Sequence, residues 1–331
     1  MIAPLSIPSP NPEWQSFQIG PFTIHMYAIC ILVGIILAVI ITSRRLTKRG
    51  AEPGIVLDIA LWAVPLGIIG ARLYHVFTHP ADYFYAGANV WNPFAPGAIW
   101  NIWEGGNAIY GALIGGAIGV LIGCRFTGIR FLSFADALAP GLLLAQAAGR
   151  LGNWFNHELF GAPTDLPWGL EISSDNAAFP AGLADGTLFH PTFLYEIVWN
   201  IAGVVVILLL ERAFNMRWGR AFAVYLIWYG LGRSFLESIR LDPSEMFLGI
   251  RVNVWASFAA ILVGVVLLIV QHRRHTGSEA TPYVAGREWK RPDPALDSDI
   301  ESDSDSLDDV VESENTDGET AATSTHRSTT P

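Results

Sequence analysis

Seven apolar stretches, at roughly 22–43, 55–78, 107–124, 132–151, 191–211, 218–239 and 252–271, decide what this chain can fold into. A bilayer hydrocarbon core of about 30 Å takes about 20 residues of helix to cross. In lipid the backbone must satisfy its N–H and C=O groups internally. The expected fold class is therefore an all-α integral membrane protein, a seven-transmembrane-helix bundle. Composition agrees, since 51% of the residues are hydrophobic and only 15% are charged, against roughly a quarter charged in soluble proteins. In the third stretch, "GGNAIYGALIGGAIGVLIG", small residues recur at spacings of three and four, which lets helix backbones approach closely.

Charge orients the bundle. The connections after the first, third and fifth stretches read "RRLTKRG", "CRFTGIR" and "ERAFNMRWGR", and the chain leaves the seventh as "QHRRH"; together they hold eleven Lys/Arg. Residues 79–106 and 152–190 hold none. Basic connections stay cytoplasmic, so residues 1–21 form an external N-terminal segment and the C-terminus lies in the cytoplasm. The aromatics Tyr83, Phe84, Tyr85, Trp91, Phe94, Trp100 and Trp103 make 79–106 short interfacial arms on the outer surface, because such rings favour the headgroup level. Residues 155–189 read as a small external head, too short for a core of its own. The membrane domain then covers 22–275.

The net charge of −10 belongs to the remainder. Residues 276–331 hold 14 Asp/Glu against 4 Lys/Arg, whereas 1–275 hold 16 of each. So much like charge with so little apolar surface predicts a disordered acidic cytoplasmic tail. Cys30 and Cys124 fall in different stretches at different depths, so no disulfide is expected. The chain has no H-E-x-x-H, C-x-x-C or G-x-x-x-x-G-K pattern. Neither a metal, a cofactor nor a nucleic-acid partner is expected.

Five arginines break the charge rule: Arg72, Arg150, Arg233, Arg240 and Arg251 all fall near the outer boundary. An arginine there costs several kcal/mol unless it is paired or faces a wet cavity. Other polar residues reach the same level: Tyr27, Tyr110, "HPTFLYE" (190–196), and the stripe Tyr229, Arg233, Glu237 at i, i+4, i+8. The densest run is "GRLGNWFNHELFG" (149–161), with Arg150, Asn153, Asn156, His157 and Glu158 between glycines. Guanidinium clusters suit phosphate, which they clamp bidentately, and at this depth the abundant phosphate is lipid.

"GRLGNWFNHELFG" resembles the signature of the prolipoprotein diacylglyceryl transferases. The likeness continues through "IHMYAICILVG" (24–34), "GARLYHVF" (70–77), "WEGGNAIYGALIGG" (103–116), "HPTFLYE" and "WYGLGRSFLESIR" (228–240). The resemblance implies a seven-helix enzyme of the bacterial cytoplasmic (inner) membrane. Its substrates would be phosphatidylglycerol and prolipoprotein signal peptides carrying a lipobox cysteine, the products a thioether-linked precursor and glycerol phosphate. It implies roles for Tyr27, Arg150, Asn153, Glu158, Gly161, Tyr229, Arg233 and Glu237. One position departs: Tyr110-Gly111-Ala112-Leu113-Ile114-Gly115 stands where many members carry a histidine before the glycine.

On this reading Arg150 and Arg233 hold the phosphate and Asn153 adds a hydrogen bond to the headgroup, with Asn156 beside it. Glu237 positions Arg233, Glu158 orients the signature's amide and arginine side chains, and Tyr27 meets lipid near the ester level. The glycines permit close packing and a sharp exit into the head, with Gly161 the tightest case. Tyr110, His157 and Glu158 are three unranked candidates to take the thiol proton. The competing classes are a transporter, which needs polar residues along a full crossing, and a non-catalytic lipid-binding protein.

Overall fold

The structure is a computed structural model that describes residues 6–290, apart from 21, 86, 88, 93, 94, 96, 103, 104, 243, 276 and 278. Phe94 and Trp103 of the expected arms, and the tail from 291 onward, lie outside the described residues. Seven long helices stand among them: α1 Met26–Lys48, α2 Ile55–Thr78, α3 Ile109–Thr127, α4 Phe131–Phe155, α5 Thr192–Phe214, α6 Arg220–Glu237 and α7 Val252–Arg274. Six are long and apolar enough to cross a membrane by length and composition. The exception, α6, carries Arg220, Arg233 and Glu237 within its span. The helical bundle expected from the hydrophobic pattern is present, with ends shifted by a few residues.

Helix pairs form where the sequence removes bulk or supplies a cap. α3 lies against α2 through glycines: a Cβ on Gly111 or Gly115 would collide with the α2 backbone at Gly70 and Leu66. α4 is the central helix, packed on α1, α5 and α6, and it buries Asp136 completely. That carboxylate accepts hydrogen bonds from the backbone N–H groups of Gly219 (2.7 Å) and Phe222 (2.9 Å). It thereby satisfies donors at the start of α6 that no preceding turn can reach. A core of Ala139, Leu143, Ile207, Met216, Ala221 and Tyr225 fills the space among α4, α5 and α6.

Three short antiparallel hairpins were not foreseen: β1 Ser16–Ile19 with β2 Phe22–His25, β3 Leu170–Glu171 with β4 Leu188–Phe189, and β5 Met246–Phe247 with β6 Ile250–Arg251. The head at 155–189 shares its core with the bundle. Phe160, Leu170, Ile172 and Phe189 pack with Phe193 of α5, Trp154 of α4 and Ile7. The turn out of α4 is made by His157 and Leu159, both at positive φ. The sharp exit expected of the glycines falls to these two residues, while the close packing expected at Gly161 is present.

The tail boundary also moves. Residues within 279–287, counted with the tail from sequence, lie against the bundle. Tyr283 is buried and accepts a hydrogen bond from Glu52 N at 3.0 Å; burial pushes its phenol above the ordinary tyrosine range. Arg130 pairs with Glu279 at 3.0 Å, and Arg287 donates to the carbonyls of Arg125 and Phe126, both at 2.6 Å.

Candidate active site

The site is assembled at the end of the bundle where α4 and α6 finish and α1, α3, α5 and α7 begin. Its centre is a chain of ion pairs through two buried carboxylates. Glu196, one turn into α5, pairs with Arg150 of α4 at 2.5 Å and lies 3.8 Å from Arg233 of α6. Glu237, 1% exposed at the end of α6, pairs with Arg233 at 2.8 Å and Arg251 at 3.1 Å, with Arg240 at 3.9 Å. Four of the five outer arginines thus surround Glu196 and Glu237. Isolated guanidinium groups would be expensive here, and so would isolated carboxylates; the alternation of sign makes the cluster tolerable.

The network extends on both sides. Arg150 Nη1 donates to Asn153 Oδ1 at 3.0 Å, Asn153 Nδ2 to Glu158 Oε1 at 2.8 Å, and Asn156 Nδ2 to the same oxygen at 3.2 Å. Because α4 runs on to Phe155, Arg150 and Asn153 stand at i, i+3 on one face. On the other side, Asn253 of α7 donates to Glu237 Oε1 at 2.9 Å and accepts from the Tyr110 hydroxyl of α3 at 2.9 Å. Side chains from α3, α4, α5, α6 and α7 are therefore linked without a break from Tyr110 to Asn156.

Tyr27 packs on Gly152, leaving no room there for a Cβ, within electrostatic reach of Glu158 and Arg150. Tyr229 stacks on Tyr225 with ring centroids 6.1 Å apart and lies within reach of Arg150 and Tyr110. His157 stands apart: its Nε2 is 2.8 Å from the carbonyl of Pro10 and its own carbonyl takes Asn176 Nδ2 at 3.0 Å. It belongs to the head and N-terminal segment. Gly161 also lies off the network. It forms a bridge with Arg240, and a Cβ there would come to 2.8 Å from His190 Cβ and 3.0 Å from the Ile239 carbonyl. Its contribution is close packing of the start of α5 against the end of α6.

Arg72 separates from the other four arginines. It donates to the carbonyls of Ile99 (2.7 Å), Gly105 (2.6 Å), Gly106 (3.1 Å) and Ala98 (2.8 Å) and lies over the Tyr83 ring at 4.9 Å. It staples the arm to α2. Arg240 sits just beyond α6. Burial works most strongly against its charge, but the hydrogen bond and charge of Asp242, with the charges of Glu237 and Glu196, together outweigh it and hold the guanidinium above its ordinary value.

Glu196 and Asn253 were not singled out as site residues from sequence. The signal for Glu196 was its place at the end of "HPTFLYE", level with the arginines; Asn253 carried none.

Not every donor in the cluster is used. Arg233 Nη1 is buried without a hydrogen-bond partner. Among the described residues no hydrogen bond engages Arg150 Nη2. Each of the two guanidinium groups flanking Glu196 thus has one nitrogen that makes no hydrogen bond, Nη2 of Arg150 and Nη1 of Arg233, the latter facing Glu196 Oε1 at 3.8 Å. Elsewhere on the bundle, α5 and α6 flank an apolar groove of about 540 Å³, lined by Trp168, Leu194, Tyr195, Val198, Trp199, Ala202 and Trp228. Paired guanidinium groups can hold a phosphate, and an apolar groove of this size can hold acyl chains.

Comparison with known proteins agrees with this chemistry. A family model described as prolipoprotein diacylglyceryl transferase matches residues 15–270. A phosphatidylglycerol--prolipoprotein diacylglyceryl transferase of Leifsonia xyli is 70% identical over 296 residues, covering 88% of this chain and 89% of its own. A second, from Streptomyces coelicolor, is 45% identical over 287 residues, 86% of this chain and 88% of its own. One from Bifidobacterium longum is 45% identical over 275 residues, 80% and 85% respectively. The chain belongs to the prolipoprotein diacylglyceryl transferase family.

Proposed function

We propose that this chain moves the diacylglyceryl group of phosphatidylglycerol onto the lipobox cysteine of a prolipoprotein signal peptide, the first step of bacterial lipoprotein maturation. It does so as a seven-crossing protein of the bacterial inner membrane with its N-terminus outside. The observation that carries the reading is the pair Arg150 and Arg233 on either side of Glu196, each with one nitrogen that makes no hydrogen bond. Family membership and the segregation of Lys/Arg to one set of connections support it.

The chemistry explains why guanidinium groups are needed. The cysteine sulfur attacks the glyceryl carbon that bears the phosphate oxygen. A C–S bond forms, the C–O bond breaks, and glycerol phosphate leaves. The phosphate begins as a singly charged diester and departs as a monoester, whose second pKa is about 6, so negative charge grows on it. Donors fixed beforehand stabilise that charge in the transition state more than in the ground state. Arg150 Nη2 and Arg233 Nη1 take the phosphate oxygens, and Glu196 and Glu237 hold the two arginines in place. The acyl chains lie along the Trp199–Trp228 groove.

The same cations favour the thiolate over a thiol of ordinary pKa about 8.5. Glu158 and, as its phenolate, Tyr110, which stand on the network, are the acceptors for the thiol proton; His157, held by Pro10, is not. The testing experiment supplies detergent-purified protein with phosphatidylglycerol and a lipobox peptide. Release of glycerol phosphate with a matching gain of mass on the peptide is expected, and neither should occur with a Cys→Ser peptide. Absence of both with the cysteine peptide would overturn the reading.

A further inference from the structure

At the opposite end of the bundle, the last turns of α1 and α5 both stand on α4 and flank a cleft of about 600 Å³. Its lining holds five cationic side chains, Arg45, Lys48, Arg49, Arg212 and Arg217, and one carboxylate, Glu211. Arg45, Arg49 and Arg217 all converge on Glu211, at 2.6, 2.7 and 2.9 Å. Arg45 also donates to the Ala137 and Asp136 carbonyls of α4, at 3.0 and 3.1 Å, forming the floor. Lys48 and Arg212 on the rim are exposed and make no ion pair among the described residues. The other nearby carboxylates are committed elsewhere: Asp136 to the start of α6, Glu279 to Arg130. One carboxylate facing five cations leaves a large positive excess around a space big enough for a headgroup. Leu208 and Leu209 form an exposed apolar wall beside it.

We propose that this cleft seats the headgroup of an anionic phospholipid from the leaflet facing away from the candidate active site, with an acyl chain against Leu208 and Leu209. The inference rests on the membrane reading above but not on the transfer chemistry. A phosphodiester supplies the anion that Lys48, Arg212 and the outward edges of Arg45 and Arg217 lack. The apolar wall favours a tethered lipid over free phosphate. Basic pockets between helices at a cytoplasmic surface recognise anionic headgroups on these physical grounds.

The test reconstitutes the full chain in phosphatidylcholine vesicles doped with a headgroup-photoreactive phosphatidylglycerol, and maps cross-linked peptides by mass spectrometry. Labelling is expected at both ends, near Arg150 and on the peptides around Lys48 and Arg212. In Lys48→Ala/Arg212→Ala the second set should fall about tenfold or more, since each cation near an anionic headgroup contributes a factor of about five. The Arg150 labelling and the transfer rate should stay within about twofold. Lys48→Gln alone, on an exposed side chain, should give an intermediate loss and keeps the test independent of folding. Three results would overturn the cleft. These are inner-end labelling no greater than with a photoreactive phosphatidylcholine, labelling unchanged in the double variant, or labelling abolished by inorganic phosphate. Inner-end labelling that persists while the Arg150 region is unlabelled upholds the cleft and counts against the transfer site alone.

Discussion

Arg150 and Glu196 form an ion pair of 2.5 Å that joins α4 to α5, and the second oxygen of Glu196 faces Arg233 of α6 at 3.8 Å. One carboxylate thus sets the spacing of the two guanidinium groups. Glu196→Gln preserves shape while removing the charge that orients both arginines. A fall in kcat of about 10–100-fold is expected, with KM nearly unchanged, because the lost interaction matters most as phosphate charge grows. Glu196→Ala leaves two guanidinium groups without that partner and should lower stability by about 3–5 kcal/mol, read as a drop in thermal unfolding temperature in detergent.

At the other side of the cluster the Tyr110 hydroxyl donates to Asn253, which donates to Glu237. Tyr110→Phe leaves the Asn253 carbonyl oxygen without this donor. The expected outcome is a loss of about tenfold or more in kcat and an altered pH–rate profile, with activity recovered in part by Tyr110→His. An unchanged profile in the phenylalanine variant would clear Tyr110 of handling the proton.

Asp136 concerns folding and not chemistry. Its two oxygens accept from Gly219 and Phe222 at the start of α6. Asp136→Ala leaves both buried donors without a partner, at a cost of about 1–3 kcal/mol each. The unfolding temperature should fall while the turnover of the folded fraction stays near the parent value.

Arg72 offers a separate check, because its guanidinium engages four backbone carbonyls of the arm. Lysine cannot reproduce that fork. Limited proteolysis of Arg72→Lys should cut within 80–106 faster than in the parent, and an identical cleavage rate would remove the staple role.

Much of the architecture was legible because membrane physics leaves few choices. Apolar length marked the helices, and four of the five outer arginines marked the level of the arginine–carboxylate cluster. The spacing of Arg233 and Glu237 at i, i+4 anticipated their ion pair, and that of Arg150 and Asn153 at i, i+3 their hydrogen bond. What stayed hidden depends on register between distant segments. Nothing local to Glu196 says that it will meet Arg150, and nothing in "RVNVW" marks Asn253 as the link between Tyr110 and Glu237. The hairpins escaped because strands of two to four residues carry too little period to read. His157 sits beside Asn156 and Glu158 in the chain yet turns to Pro10, since its own positive φ redirects the side chain. The segment around Tyr283 was concealed by the acidic composition that follows it.

The central claim is that Arg150 and Arg233 together stabilise the departing phosphate. Its most direct measurement is the rate of glycerol phosphate release from phosphatidylglycerol, with a lipobox peptide as acceptor, for Arg150→Ala and Arg233→Ala in preparations whose unfolding shows the bundle intact. A loss of about 10²–10³ in kcat is expected for each. Parent-level release by both variants would contradict the account.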